Sequence, residues 1–122
     1  MKLTLDIENT ITTRGGKKHL DPFEPDNTLV MVGVLTDQDV CVTFPFDHAD
    51  RPNQEDYYER VQWFLDEATV LICHNAAHDL LWLWESGFKY DGPVFDTMLT
   101  EYVIQRGVKE PLSLEACAER HD

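Results

Sequence analysis

The stretch that most constrains the fold is Thr69-Val-Leu-Ile-Cys-His74, a short apolar run with helical periodicity on both sides. Upstream, Tyr57, Tyr58, Val61, Phe64 and Leu65 recur at the i, i+3, i+4, i+7 spacing, which predicts an amphipathic helix over 54–67. Downstream, Ala76 to Ser86 reads as a second helix, with Gly87 as its C-terminal cap. A brief unbroken apolar run between two helices is the mark of a parallel strand covered on both faces. Parallel neighbours require crossover connections, so the chain has to be an α/β protein with its helices against a sheet.

The flanking segments fill in that sheet. Met1 to Glu8 alternates apolar and polar residues as a strand, and Thr28 to Leu35 is a run of β-branched and apolar residues. Thr36-Asp-Gln-Asp39 is a hairpin-length turn into a returning strand, Val40 to Pro45. Asn9 to Asn27, with Gly15-Gly16, Lys17-Lys18, Pro22 and Pro25, reads as a long loop, and so does Phe46 to Asn53, with His48 and Pro52. Val94-Phe95-Asp96 predicts a short strand leading into a helix over Thr97 to Gln105. Pro111 to Arg120 predicts a last helix, with Ser113 at its N-cap. The order β-β-β-α-β-α-β-α-α predicts one domain over 1–122: a mixed sheet of three antiparallel and then parallel strands, flanked by helices. This order matches the ribonuclease H-like architecture.

Composition narrows the function classes. Hydrophobic content of 43% argues for a folded core. No apolar run approaches the ~18–20 residues of a membrane span. The opening Met-Lys-Leu-Thr-Leu-Asp reaches charge too early for a secretory signal, so no membrane association and a cytoplasmic location are expected. Cys41, Cys73 and Cys117 lie in apolar surroundings without Cys-x-x-Cys spacing and read as buried thiols. A formal charge of −13 argues against autonomous duplex binding, which needs a basic face. It leaves room for a nuclease whose metals meet the phosphate, with long-range attraction supplied by another domain or partner.

The acids themselves carry the chemistry. Asp6 and Glu8 are two apart on the first strand and share a face, where a divalent cation with hard oxygen ligands would relieve their repulsion. In open α/β sheets the ligand crevice lies beyond the carboxyl ends of the parallel strands, at the switch in strand order. The first strand is expected beside the fourth, which ends at Cys73-His74. If Asn75 caps the following helix, Asp79 lies one turn in on the same side. Asp96 opens the next helix, as a further acid or as a cap. Acids delivered from separate elements to one sheet edge are what two-metal phosphodiester cleavage needs.

Leu-Asp6-Ile-Glu8-Asn-Thr, His-Asn75-Ala-Ala-His-Asp79-Leu-Leu, Phe-Asp96-Thr-Met-Leu-Thr-Glu-Tyr102 and Leu112-Ser-Leu-Glu-Ala-Cys-Ala-Glu-Arg120 together resemble the 3′–5′ proofreading exonuclease domain of family A (DNA polymerase I-type) polymerases, phage ones especially, within the DEDD exonucleases. The resemblance implies two Mg²⁺ or Mn²⁺ ions, bridged by Asp6, with Glu8 on the nucleophile side and Asp79 on the leaving-group side. It implies Asn9 and Thr10 at the terminal nucleotide, Asn75 steadying the substrate backbone or the Asp6 strand end, and a supporting role for Asp96. The expected substrate is a single-stranded DNA 3′ end, and the expected partner a polymerase domain on the same or another chain. The family's third motif, Tyr-x-x-x-Asp or His-x-x-x-x-Asp, has no counterpart after Asp79: Tyr102 is followed four places on by Arg106, and His121 is one residue from the end. The fourth acid is therefore expected outside this chain, and the isolated chain is expected to turn over slowly or not at all.

Other readings of the same residues stand beside this one. His74 and His78 are spaced for zinc, but a strand residue and a helix residue do not share a face. Cys73 beside His74 suggests a nucleophile, although strand neighbours point apart. Trp63 and one of Trp82 and Trp84 are expected in the core, leaving the other exposed. Arg14 with Lys17-Lys18 suits phosphate contact or a solvated loop equally. A non-catalytic exonuclease-like scaffold and an RNA 3′-trimming enzyme of the same fold are the alternatives in function.

Overall fold

The structure, a computed structural model, describes residues 1–47 and 55–121, with Glu55 placed by its backbone alone. His48, Pro52, Gln54 and Asp122 lie outside the described residues.

The long strands form one five-stranded sheet of order β5-β4-β1-β6-β7. They are β1 (Lys2–Asn9), β4 (Leu29–Thr36), β5 (Cys41–Pro45), β6 (Val70–Cys73) and β7 (Val94–Asp96). β4 is antiparallel to β1 and to β5, whereas β6 runs parallel to β1 and β7 parallel to β6. This is the mixed sheet expected, with the run at 69–74 placed beside the first strand. The helices are α1 (Glu55–Glu67), α2 (Ala76–Glu85), α3 (Thr97–Ile104) and α4 (Leu114–His121).

β1 alternates strictly: Leu3, Leu5 and Ile7 are buried, while Lys2, Thr4, Asp6 and Glu8 are exposed. The buried row continues through Val32 and Val34 of β4 and Leu71 of β6, against Val61 and Leu65 of α1 and Trp82 and Leu83 of α2. The core therefore sits on one side of β1, and its acids lie on the other. Asp6 and Glu8 are thus exposed. β6 is less covered than expected, with Val70 and Ile72 half-buried.

Four further expectations are corrected. The 9–27 loop contains a small hairpin, β2 (Thr12–Arg14) and β3 (Lys17–His19). Its turn is Gly15-Gly16, both left-handed at φ 58° and 78°, a conformation glycine adopts without strain. A hairpin this short and polar has no apolar alternation to reveal it. Trp63 is 55% exposed, because Val61 and Leu65 take the core stripe of α1 and residue 63 points away from both. Trp82 is buried and Trp84 exposed, dividing the pair as expected. Cys41 is exposed on edge strand β5, while Cys73 and Cys117 are buried.

The remaining correction concerns the start of α2. Asn75 occupies the cap position in a left-handed conformation, and its side chain makes no capping bond. Asp96, at the end of neighbouring β7, takes over. Its Oδ1 accepts from the Asn75 N–H and its Oδ2 from the Ala76 N–H, each at 3.0 Å. The same carboxylate caps α3, accepting from Met98 N–H at 2.9 Å and Leu99 N–H at 3.3 Å. One side chain thus supplies acceptors for the unpaired donors of two helix starts. At its other end α2 closes as predicted: Gly87 is left-handed, and the Phe88 N–H reaches Leu83 O at 2.9 Å.

Partial burial works against ionisation of Asp96, but the four N–H bonds outweigh it and hold the carboxyl below the usual range. With a depressed folded pKa, the stability it confers is present above about pH 4 and is lost as pH falls through the folded value. Asp96→Ala should cost about 2–4 kcal/mol at neutral pH, the sum of two lost caps with charge-assisted bonds. Urea unfolding at pH 7 and pH 3 checks this, since the penalty should shrink at the lower pH. An unchanged midpoint at pH 7 would show that the helix starts do not depend on this carboxylate.

Candidate functional site

Parallel pairing of Thr4 with Ile72 fixes the register between β1 and β6. Continuing it two residues sets Asp6 level with His74, where β6 ends and the chain turns into α2. The first turn of α2 then carries Asp79. The topology thus brings the opening strand's acids and the acid of α2 to one end of the sheet, at the switch between antiparallel and parallel pairing.

Asp79 is 3% exposed, and among the described residues no hydrogen-bond partner closes on its Oδ2. Burial pushes its pKa up to about 7, and the negative charge of Asp6, followed by those of Asp96 and Glu8, adds to the rise. The Cys73 thiol, a weak donor, lies beside it and partly relieves the charge. An unpartnered buried carboxylate oxygen within the fields of three other carboxylates is an expensive arrangement for a metal-free chain. It is an arrangement a cation would relieve.

In kind, the donors fit a hard divalent ion, since Asp6, Glu8 and Asp79 offer only carboxylate oxygen. In number they do not close a site: among the described residues, no group of three or more His, Cys, Asp or Glu side chains is placed to hold a metal ion. Mutual charge effects reach further than coordination does, so the two observations describe acids that are near one another without converging on one point.

The other predicted site residues divide. Asn9 is held within the chain: its Nδ2 donates to Thr10 O and Leu20 O at 2.8 and 3.1 Å, and its Oδ1 meets His78 Nε2 at 3.0 Å. Thr10 is held too, its hydroxyl accepting from Thr28 N–H at 2.8 Å. Asn75 is exposed, beside the Asp96 clamp. Asp96 fixes the start of the helix that carries Asp79.

The alternative chemistries lose ground to geometry. His74 is held between Thr97 Oγ1 at 2.9 Å and Leu112 O at 2.6 Å, while His78 faces Asn9, so the two rings serve different neighbours. The Cys73 thiol is raised well above its usual range, by burial first and then by Asp79, which leaves it protonated and unreactive. Arg14 is paired with Glu24 and Asp26, each at 2.7 Å. Cys73 as the neighbour of Asp79 was missed, because its pairing depends on where α2 crosses the end of β6. Trp82 Nε1 bonding to Leu20 O at 2.9 Å, which ties α2 to the hairpin segment, left no trace in local pattern either.

No family profile matches the chain, and no curated protein matches it in sequence. Eleven chains of solved structure do match. One, described as the apo form of a nuclease, superposes with a TM-score of 0.61 at 17% identity, over 93% of this chain and 47% of that one. The likeness establishes the fold: a ribonuclease H-like α/β sheet flanked by helices. This chain spans about half the length of that nuclease. No helix among the described residues is long and apolar enough to cross a membrane.

The raised Asp79 carboxyl has a consequence for stability. With its folded pKa above the unfolded value, its contribution is favourable below about pH 4 and is lost as pH rises through 7. Asp79→Asn should therefore stabilise the metal-free chain at pH 8, by about 2–4 kcal/mol at most on the scale of 1.36 kcal/mol per pKa unit. The gain should largely vanish at pH 4. Thermal unfolding of both proteins at the two pH values checks it, and equal midpoints at pH 8 would remove the buried charge from the account.

Proposed function

We propose that the chain is the acid-bearing part of a metal-dependent nuclease, hydrolysing single-stranded DNA from its 3′ end in the manner of a proofreading exonuclease. The observation that carries this is the buried carboxylate of Asp79, one oxygen unpartnered among the described residues and its pKa raised by burial and then by the charge of Asp6 at the same sheet end. The order and spacing of the Asp-x-Glu, Asn-x-x-x-Asp and following segments support the finer reading. The nuclease-like fold supports the coarser one.

In this reading Asp6, Glu8 and Asp79 hold Mg²⁺ or Mn²⁺, with the ligand shell completed from outside the chain. The bound ions supply water activation and stabilisation of the departing 3′ oxygen. The protein's own part is placement. Asp6 and Glu8 present their carboxylates from one exposed strand face, and Asp79 lies in the first turn of α2 at the same sheet end. Asp96 locks that turn in position, and the exposed Asn75 side chain is available to the substrate backbone. Asn9 and Thr10, just past the acids, would meet the terminal nucleotide, their side chains set by bonds to Leu20, His78 and Thr28. A polymerase domain is the natural source of both the missing ligand and the attraction for nucleic acid, given a chain charge of −13.

A second reading, a non-catalytic scaffold of the same fold, is favoured by one observation: the absence of a three-ligand group among the described residues. Metal titration separates the two. Mn²⁺ should raise the unfolding temperature of the wild-type chain at pH 8, and Asp6→Asn or Asp79→Asn should remove most of that rise. Where the third motif is supplied, 5′-labelled single-stranded DNA should shorten from its 3′ end, and Asp6→Ala or Asp79→Ala should slow this by at least about 10²-fold. No response to Mn²⁺ in the wild type would leave the scaffold reading standing.

A further inference from the structure

The exposure of Trp63 has no role in the proposed chemistry. It lines a groove of about 460 Å³ between α1 and the Gly87-Phe88 turn, together with Tyr58, Glu59, Gln62, Asp66 and Phe88. The aromatic floor is fixed: Tyr58 stacks on Phe88 at 5.4 Å between ring centres, and Phe88 is anchored in the core. The wall is fixed as well. Gln62 accepts from the Lys89 N–H and donates to Lys89 O, each at 2.9 Å, and donates to Asp66 at 2.8 Å. Glu59 and Asp66, both exposed, flank this floor from positions seven apart on α1, and neither is ion-paired among the described residues.

We propose that this groove docks an arginine- or lysine-bearing segment of a basic partner protein. A Trp exposed over half its surface, in one groove with a Tyr and flanked by carboxylates that form no ion pair among the described residues, offers a cation aromatic surface and counter-charge, and Trp is the favoured residue for this contact. Large aromatic side chains are also what protein interfaces use as anchors. Charge complementarity decides the occupant. With 23 acidic against 10 basic residues, the chain attracts basic partners and repels acidic ones. A docked basic protein would also offset the repulsion between this chain and nucleic acid, but the groove's binding does not depend on the nuclease reading.

The test is fluorescence anisotropy of a labelled peptide in which arginines alternate with glycines, titrated with the whole chain at about 50 mM salt, where screening is weak. Trp63→Ala should weaken binding by roughly 5- to 30-fold, the span of a well-placed cation–π contact, while Trp63→Phe keeps most of it. Glu59→Gln with Asp66→Asn should weaken it more than Glu115→Gln with Glu119→Gln on α4, which removes the same charge elsewhere. Equal losses from the two acid pairs, or no loss from Trp63→Ala, would overturn the proposal by showing attraction to overall charge alone. Either result leaves the metal titration, done without peptide, to judge the nuclease reading separately.

Discussion

Four backbone N–H groups from two helices converge on the Asp96 carboxylate, and the arrangement at the sheet end follows from that. β6 and β7 are parallel neighbours, so their following helices start side by side, each presenting unpaired donors and a partial positive charge. One ionised side chain set between them satisfies both starts. It also fixes where the first turn of α2 begins, and therefore where Asp79 lies relative to β1. A neutral residue at position 96 would leave two helix ends competing for water in a partly buried corner.

Asp79 shows the opposite balance. Asp96 is given donors and stays ionised easily, whereas Asp79 is buried with an unpartnered oxygen and repelled by Asp6. Two acids a short distance apart are thus tuned in opposite directions, one for structure and one at a cost in stability. Such a cost concentrated at a strand switch point, beyond the ends of parallel strands, is what marks a binding site in this class of fold. The exposed face of β1 keeps Asp6 and Glu8 accessible to whatever completes the site.

Much of this was legible in the sequence, and the reasons are specific. The run at 69–74 between two helical patterns fixed the parallel centre of the sheet, and alternation along β1 sorted its residues to two faces. The turn at 36–39 and the cap at Gly87 carried local chemistry strong enough to read. The β2–β3 hairpin was hidden, because three-residue polar strands have no hydrophobic period and only the Gly15-Gly16 pair betrayed them. Trp63 was misplaced because size and hydrophobicity suggested burial, while its phase on α1, two residues from both Val61 and Leu65, pointed outward. Asn9 and Thr10 read as substrate contacts from their position after the acids. Their bonds within the chain run to Leu20, His78 and Thr28, partners that only the closed loop brings near. The double role of Asp96 was half visible: an N-cap is a local signal, but a bond to another helix's start is not.

The proposed function requires Asp79 to share one electrostatic site with Asp6 and a divalent cation. Carboxyl carbon NMR following the titration of Asp79 tests this most directly, in the metal-free chain, in Asp6→Asn, and in the wild type with Mg²⁺. The carboxyl should titrate near pH 7 in the metal-free chain, move toward lower pH in Asp6→Asn, and fall further when Mg²⁺ is added. A carboxyl that titrates near pH 4, the ordinary value, and responds neither to the loss of Asp6 nor to the cation would contradict it.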